Sequence, residues 1–390
     1  IHHGTASLLV TAATAGAVGG LGLGLALSDD DRVLTSTALG GSVAGATLAE
    51  ALQIPDKRER RARVHAVRDD LKARLKEKFA DLSDEAFRAV FDELEIATVR
   101  ANVLDKGRRI DGRPYFQVRP LLGQVGLLPR THGSSFFGRG ETESLCSVTL
   151  GTSSDAQDMD TITGGAPSKS FFLHYNFPPY SVGETGRVGS PGRREIGHGA
   201  LAERSLVEVM PKDYPYTVRL VSDIMSSNGS TSMASICAGT LALMDAGVPI
   251  RKPVAGISCG IFTAPGKAQL VVDILGEEDH CGDMDFKVAG TRDGITGFQV
   301  DLKIRGLDWD LVTEAFERAR VARHQILDFM ATVFPEPRSE LSPHAPRIHE
   351  MQIPQDKIGE LIGPGGKNIR RITELSGAQI DIEDDGTIKI

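Results

Sequence analysis

The run of residues 273–287, DILGEEDHCGDMDFK, constrains the fold of this chain more than any other segment, because it holds six acidic residues in fifteen positions. Its end alternates between a polar and an apolar set: Asp283, Asp285 and Lys287; Met284, Phe286 and Val288. Successive side chains of a strand point to opposite faces, so the alternation predicts a strand with one apolar, core-facing side. The other side would present two carboxylates and an amine.

Asp279 precedes this predicted strand and is close enough in sequence to fold back beside Asp285. Crowded carboxylates repel one another unless a cation lies among them, and both Mg²⁺ and Mn²⁺ accept oxygen ligands. The run therefore indicates a divalent cation site. A solvated acidic loop leading into an edge strand would give the same pattern, and the residues alone do not decide between the two.

Length and charge limit the classes of protein that fit. A chain of 390 residues can form two or three domains with ordinary cores. Its formal net charge of −8 gives no global sign of a nucleic-acid binder, so any site for a polyanion must be local. Three basic clusters are candidates for such a site or, equally, solvated faces: Lys57–Arg63, Lys106–Arg109 and Arg193–Arg194. Four cysteines without CxxC spacing argue against a disulfide framework or a zinc site and fit a reducing, cytoplasmic compartment.

Residues 1–50 stay unassigned. Because the first residue is Ile, we expect a fragment or a processed product. The stretch Thr5–Leu27 is uncharged and long enough to span a bilayer, but it is mostly Ala, Gly and Thr and has no basic region before it. We therefore expect a Gly- and Ala-rich segment rather than a signal or membrane segment.

The remaining chain divides by texture. Residues 51–107 are rich in strong helix formers with apolar residues three and four apart, and Ser83 is a predicted helix cap, so we expect an all-helical domain. Short β-rich runs alternate with helical stretches over residues 108–335, which predicts a mixed α+β domain closed by a long helix, Trp309–Phe334. A proline-rich linker, residues 336–347, leads to a small domain at residues 348–390.

A hydroxyl-rich loop, Ser226–Ser232, runs directly into an apolar helix in the mixed domain. Helix N-termini carry unpaired N–H groups and a partial positive charge, so an anion such as phosphate binds there readily. Ser230, Thr231 and Ser232 would add hydroxyl donors. A plain helix N-cap is the alternative, since serine is common at that position.

Two further segments of this domain carry arginines suited to phosphate. The sequence GSPGRREIGHG contains Arg193 and Arg194, whose planar guanidinium groups can each form two hydrogen bonds with phosphate oxygens. His198 would hold a phosphate or donate a proton, or serve only the structure. In the turn RGET, Arg139 would follow a nucleic-acid backbone, although this is the weakest of the three signals.

The loop of residues 362–367, IGPGGK, joins two predicted helices and resembles the GxxG loop of the KH domain. In that family the loop clamps the backbone of about four nucleotides of a single strand, and glycine permits the close approach to phosphate. The resemblance covers residues 348–390, which stop before the family's expected final helix. It implies that RNA is bound by five residues: Gly363, Pro364, Gly365, Gly366 and Lys367.

From about Leu52 to Ile390 the order of segments resembles the polynucleotide phosphorylase family. The segments that carry the resemblance are FFLHYNFPPYSVGETGRVGSPGRREIGHGALAER, SDIMSSNGSTSMAS, ALMDAGVPI, DILGEEDHCGDMDFKVAG and the KH region. It implies an α+β fold with an RNase PH-type (ribosomal protein S5 domain 2-like) core, preceded by an all-α linker domain and followed by a KH domain. The family's first RNase PH core is not recognisable before residue 50, and we do not expect its OB-fold domain within residues 1–390.

Roles for individual residues follow from this resemblance. Ser230, Thr231 and Ser232 resemble the family's phosphate-binding loop, although the family has Ser at the position of Thr231. Asp279 and Asp285 resemble its metal ligands, with Lys287 beside them. The other two elements of the implied active site are the arginine pair and its histidine: Arg193, Arg194 and His198.

The implied activity is phosphate-dependent 3′-to-5′ degradation of single-stranded RNA with release of nucleoside diphosphates, and RNA polymerisation in reverse. Mg²⁺ or Mn²⁺ would be the cofactor, and the family implies a homotrimer that joins RNA-degradation complexes in the cytoplasm. Two alternatives stay open: a non-catalytic, RNA-binding ring subunit, and a hydrolytic exonuclease that releases monophosphates. The combination of serine, arginine and carboxylate sets favours the phosphorolytic enzyme.

Overall fold

The computed structural model describes residues 24–25, 34–35, 39–78, 80–159 and 168–390, which form two compact units. The first unit comprises residues up to Gln117 together with Cys259–Asp285 and Asp301–Leu311. The second comprises Val118–Ser258, Phe286–Val300 and Val312–Ile390. Most of the unassigned segment 1–50, including the uncharged stretch apart from Gly24 and Leu25, lies outside the described residues.

Helices dominate the first unit. Its described elements up to residue 117 are a short antiparallel pair, β1 (Gly24–Leu25) and β2 (Leu34–Thr35), and the helices α1 (Leu39–Ala51), α2 (Lys57–Lys78) and α3 (Asp84–Leu104). The predicted cap is confirmed, because the Ser83 hydroxyl accepts a hydrogen bond from the amide of Ala86 at 3.1 Å. Helical structure begins at Leu39, earlier than the start at residue 51 that we expected.

The core of the first unit is apolar and continuous. Val64 and Val67 of α2 pack with the apolar face of α3 and with Leu48 of α1. Residues of the later segment join the same core: Phe262, Val271, Ile274, Leu275 and Cys281. The three- and four-residue spacing seen in the sequence therefore marks the buried face of these helices.

A five-stranded sheet with order β3-β4-β5-β9-β8 organises the second unit. Its strands are β3 (Leu121–Val125), β4 (Gly133–Arg139), β5 (Thr142–Gly151), β8 (Phe171–Asn176) and β9 (Thr217–Ser226). Only the β8–β9 pair is parallel among these described pairs. A short antiparallel pair, β6 (Gln157–Asp158) and β7 (Ser168–Lys169), lies outside this sheet.

Helices α4 (Arg193–Val207) and α5 (Thr231–Asp245) pack with this sheet. All fifteen residues of α5 are buried. A Cβ atom on Gly239 would lie 2.7 Å from a methyl of Leu220, so α5 needs glycine there to approach β9 closely. This packing fixes the N-terminus of α5 at the end of β9, where the hydroxyl-rich loop lies.

The chain then forms β10 (Ala255–Ala264), β11 (Lys267–Val272), α6 (Gly276–Cys281), β12 (Met284–Gly290), β13 (Ile295–Leu302) and α7 (Trp309–Val333). The long closing helix is thus confirmed. Every residue of β12 is buried, so the side that carries Asp285 and Lys287 is covered as well as the apolar side.

The C-terminal part of the second unit carries β14 (Glu350–Gln352), α8 (Ile358–Ile362), α9 (Lys367–Ser376), β15 (Asp381–Ile382) and β16 (Thr387–Lys389). Its sheet has the order β14-β16-β15. Across the described residues as a whole, helix and sheet are mixed, as the predicted α+β class requires, and no helix is long and apolar enough to cross a membrane.

Candidate active site

The hydroxyl-rich loop begins α5 without a side-chain capping hydrogen bond. Ser230 occupies the N-cap position of α5 with a left-handed backbone (φ 56°, ψ 50°), and its side chain makes no capping hydrogen bond. The hydroxyl oxygens of Ser230 and Ser232 are buried and have no hydrogen-bond partner in the described part of the chain. Buried hydroxyls are nearly always satisfied, so these two indicate a ligand that they would bind.

Thr231 differs from its two neighbours, because its hydroxyl lies 2.6 Å from the hydroxyl of Tyr175 on β8. Both side chains are buried. Burial raises the pKa of Tyr175, so its hydroxyl stays protonated and can donate to Thr231. The loop is thereby joined to the strand that faces α4.

Aromatic contacts continue this connection toward the charged residues of α4. The Tyr175 ring meets the His198 ring edge-on, with centroids 5.5 Å apart, and stacks on Phe177 at 6.4 Å. The guanidinium of Arg194 lies over the Phe177 ring, 5.4 Å from its centroid, within the range of a cation–π interaction. Arg193 and Arg194 are exposed on the first turn of α4 and are accessible to a polyanion.

His198 is half-buried, and its Nδ1 atom has no hydrogen-bond partner among the described residues. Burial, with the positive charges of Lys287 and Arg194, lowers the pKa of His198 to about 4. The imidazole is therefore neutral near pH 7 and acts as a hydrogen-bonding group rather than a cation. The structure thus brings Lys287 and Arg194 close enough to His198 for their charges to act on it.

Arg139 does not lie where we expected. Instead of following a nucleic-acid backbone on the surface, its side chain is fully buried at the end of β4. Its Nη2 donates a hydrogen bond to the carbonyl oxygen of Ser230 at 3.1 Å. The prediction of direct RNA contact is wrong because the turn after β4 packs beneath the hydroxyl-rich loop.

Arginines neutralise most of the acidic run. Four of its six carboxylates pair with arginines of the first unit: Arg60–Glu277, Arg100–Asp283, Arg109–Glu278 and Arg113–Asp273. The Arg109–Glu278 pair is completely buried, with a hydrogen bond of 2.9 Å from Nε to Oε1. The other two acidic residues, Asp279 on α6 and Asp285 on β12, are those that resemble metal ligands.

The donor set of Asp279 and Asp285 fits Mg²⁺ chemically, since that ion often takes only one or two protein carboxylates and completes its shell with water and substrate phosphates. Within the described ranges, no group of three or more His, Cys, Asp or Glu side chains is arranged to hold a metal ion.

The loop between α8 and α9 is exposed and built on left-handed glycines. Gly363, Gly365 and Gly366 have φ values of 72°, 59° and 78°, which residues with a side chain rarely adopt. Nothing lies within 4 Å of a Cβ atom placed on Gly365, so the space above the loop is open. Lys367 follows at the start of α9, and Arg370 bonds back to the carbonyl oxygen of Gly366 at 3.2 Å.

Sequence reasoning missed several residues that shape the site: Arg119, Thr142, Tyr175, Phe177 and Asn228. Arg119 and Thr142 lie beneath the hydroxyl-rich loop, Asn228 is part of that loop, and the aromatic pair connects the loop to α4. The two-residue spacing of Tyr175, on β8, and Phe177, directly after it, was a usable signal for the aromatic pair. Nothing in the spacing indicated that the β4–β5 turn meets a loop nearly ninety residues later.

Three family models match this chain. A model of the 3′ exoribonuclease family, domain 1, of RNase PH type, matches residues 117–249. The polyribonucleotide nucleotidyltransferase RNA-binding domain matches residues 41–114, and the KH domain matches residues 348–390. These matches confirm the predicted RNase PH-type core, preceded by a helical domain and followed by a KH domain.

Curated relatives agree with these matches. Polyribonucleotide nucleotidyltransferase of Opitutus terrae is 55% identical over 353 residues, which cover 88% of this chain and 48% of the relative. The enzyme of that name from Dinoroseobacter shibae is 53% identical over 343 residues, covering 87% and 48%. That of Chlorobium phaeobacteroides is 56% identical over 313 residues, covering 80% and 42%. The chain spans about half the length of the curated relatives it matches.

Proposed function

Because the chain belongs to the polyribonucleotide nucleotidyltransferase family, we propose that it is a phosphorolytic 3′-to-5′ exoribonuclease. Inorganic phosphate attacks the phosphorus of the 3′-terminal phosphodiester, and the bond to the 3′ oxygen of the preceding nucleotide breaks. A nucleoside diphosphate leaves, and the proton of hydrogen phosphate ends on the new 3′ hydroxyl. The reverse reaction extends RNA and releases phosphate.

The observation that carries this proposal is the pair of buried hydroxyls without a partner, on Ser230 and Ser232, at the N-terminus of α5. The first N–H groups of a helix have no partner within the helix and carry a partial positive charge, so they bind phosphate without a further cation. A hydrolase would need to activate water instead and would have no use for such a loop. We therefore assign this loop to the attacking phosphate.

Arg193 and Arg194 would hold the phosphates of the RNA end, since both are exposed and a guanidinium can bind two phosphate oxygens at once. His198, neutral near pH 7, would donate or accept a hydrogen bond at a phosphate oxygen, and Lys287 would add positive charge beside it. Two anions must meet in this reaction, so catalysis rests on positioning and electrostatic stabilisation rather than on an enzyme nucleophile.

Asp279 and Asp285 would hold a divalent cation, with Mg²⁺ proposed and Mn²⁺ as the substitute. When bound, such an ion neutralises charge that develops on the scissile phosphate and the leaving oxygen. Arg100 and Arg109 support this role indirectly, because their pairing with Asp283 and Glu278 reduces the negative charge around the two ligands.

The loop of residues 363–367 would capture single-stranded RNA, as in other KH domains. Its glycines leave the backbone open for phosphates, and Lys367 supplies a cation. We further propose a homotrimeric assembly, participation in RNA-degradation complexes and a cytoplasmic location. The four cysteines, which are free and buried, support a reducing compartment.

The reverse reaction tests this proposal. The chain is incubated with nucleoside diphosphates, a short RNA primer and Mg²⁺, and both primer length and released inorganic phosphate are measured. Primer extension with one phosphate released per added nucleotide is the expected result. Failure to extend, in a protein that binds the primer, would favour the non-catalytic ring subunit.

A further inference from the structure

Three successive carbonyl oxygens of the hydroxyl-rich loop accept hydrogen bonds from side chains that lie beneath it. Two of the donors belong to the RGET turn after β4, and the third is Arg119. Arg119 donates to the carbonyl oxygen of Asn228 at 2.7 Å, and the Thr142 hydroxyl donates to that of Gly229 at 3.0 Å. Arg139 donates to the carbonyl oxygen of Ser230 at 3.1 Å. All three donor side chains are buried, at 5% exposure or less.

Thr142 is the centre of this arrangement. Besides its bond to Gly229, its hydroxyl oxygen accepts from the amide of Asn228 at 3.1 Å and from Arg119 Nη1 at 3.3 Å. One hydroxyl thus fixes both the amide of Asn228 and the carbonyl of the next residue. Such a fully used buried hydroxyl cannot be replaced by an apolar group without leaving its partners unsatisfied.

The turn that carries Arg139 and Thr142 is shaped to admit Arg119. Gly140 has a φ of 54°, and a Cβ atom there would lie 2.8 Å from Cδ of Arg119. Glu141 in the same turn adds two more contacts. Its carboxylate accepts a hydrogen bond from the side-chain amide of Asn228 at 2.7 Å, and its carbonyl oxygen accepts one from the Ser226 hydroxyl at 2.9 Å. The sequence RGET therefore contacts the loop along most of its length.

The consequence for an anion is electrostatic. A carbonyl oxygen that faced phosphate would repel it. A carbonyl oxygen that accepts a hydrogen bond from a donor below the loop is held pointing toward that donor. Ser230 needs this support most, because its left-handed backbone is unfavourable for a residue with a side chain. Two buried guanidinium groups beneath the loop also add positive charge near the place where phosphate would bind.

We propose that Arg119, Arg139 and Thr142 are positioning residues that hold the loop 226–232 in its phosphate-binding conformation. None of them needs to touch substrate. This inference rests on the proposed function, since it concerns the loop to which the attacking phosphate is assigned. It also gives the RGET turn a role other than RNA contact.

The test compares Thr142→Val, which removes the hydroxyl but keeps the shape, with Thr142→Ser, which keeps the hydroxyl. Initial rates are measured against phosphate and against RNA, and phosphate binding is measured by calorimetry on the full chain without RNA. Thr142→Val should raise both KM and Kd for phosphate about tenfold, as expected for loss of a buried hydrogen bond. The KM for RNA should change less than twofold, and Thr142→Ser should restore wild-type values.

Thr240→Val is the matched control. Thr240 is as buried as Thr142, and its hydroxyl donates a hydrogen bond to the carbonyl oxygen of Val254 at 2.8 Å. It lies on α5, the helix that follows the loop, but away from the loop itself. It should leave the KM for phosphate unchanged. If Thr142→Val does not fold, Arg139→Lys takes its place: it keeps the charge but shortens the donor to Ser230, and it should raise the KM for phosphate in the same way.

The outcomes separate the two ideas. Suppose that the wild type releases nucleoside diphosphates and that the KM for phosphate is unchanged in Thr142→Val, or in Arg139→Lys. That result overturns the positioning role and leaves the proposal of phosphorolysis intact. An equal rise in the KM values for phosphate and RNA would also overturn it, because general disruption of the fold would then explain the effect. A wild type that releases no diphosphates would count against the proposed function itself.

Discussion

The hydroxyl of Tyr175 lies 2.6 Å from the hydroxyl of Thr231, and the ring of the same tyrosine meets His198 edge-on. One buried side chain therefore links the loop assigned to phosphate with the helix that carries the arginines. The relationship explains how two segments more than thirty residues apart can be held in register.

Tyr175→Phe should lower kcat about tenfold, because it frees the Thr231 hydroxyl to turn toward or away from the phosphate while the ring contacts with His198 and Phe177 persist. Loss of one buried hydrogen bond should also cost about 1 kcal/mol of unfolding free energy. Tyr214→Phe is the control, since the buried Tyr214 hydroxyl has no hydrogen-bond partner among the described residues. Equal rates for wild type and Tyr175→Phe would contradict the link.

The pKa of His198 makes stability depend on pH. Its folded pKa of about 4 is below the ordinary value of 6.5, so the unfolded chain binds the proton first as the pH falls. The contribution of neutral His198 to the free energy of unfolding is therefore complete above pH 6.5. As the pH falls from 6.5 to 4 this contribution is lost, by at most about 1.4 kcal/mol per pH unit. Urea unfolding of wild type and His198→Gln over this range should show the difference. Parallel curves would mean that His198 titrates normally.

Removing one partner of the buried Arg109–Glu278 pair should be strongly destabilising. Arg109→Met leaves a carboxylate uncompensated in a site with no solvent exposure, which costs about 3–5 kcal/mol. The exposed Asp70–Arg74 pair on α2 provides the comparison, since Arg74→Met should cost less than about 0.5 kcal/mol. Chemical denaturation of the two variants measures both values, and similar losses would show that the buried pair has no special weight.

RNA capture should depend on the loop between α8 and α9. Gly365→Asp adds a negative charge to an open, left-handed position and should weaken binding of a long single-stranded RNA about tenfold or more, with a smaller effect on cleavage of very short RNA. Gly266→Asp makes the same change at another open glycine with positive φ, 73°, on the β10–β11 turn. Binding measurements should separate the two, and equal loss on long and short RNA would contradict a separate capture role.

Asp285→Asn should abolish turnover while RNA binding by the KH domain persists, because neutralising one of two proposed carboxylate ligands removes most of the affinity for Mg²⁺. Asp301→Asn, at an exposed position on β13, should behave as wild type. Rates are measured over a range of Mg²⁺ and Mn²⁺ concentrations. Normal RNA degradation by Asp285→Asn would show that the metal assignment is wrong.

Much of this fold follows from local patterns. The helix period of α2 and α3 identified their buried faces, the Ser83 cap marked the start of α3, and the glycine-rich loop identified the KH domain. Each of these signals depends on a few residues that are neighbours in the chain, so the sequence alone is sufficient to predict the corresponding structure.

What the sequence did not predict depends on contacts between distant segments. The alternation at Asp285 predicted a strand with one apolar, core-facing side, but tertiary packing buries both faces. Arg139 looked like a surface residue because its turn is short and polar, yet the turn lies beneath a loop that comes much later in the chain. Glu278 of the acidic run is paired with Arg109, and no local pattern indicates this contact between distant residues.

The most direct measurement is product analysis of a 3′-labelled single-stranded RNA incubated with this chain and Mg²⁺, with and without inorganic phosphate. Phosphorolysis predicts nucleoside diphosphates that appear only when phosphate is present. Nucleoside monophosphates released without phosphate would contradict it and indicate a hydrolase.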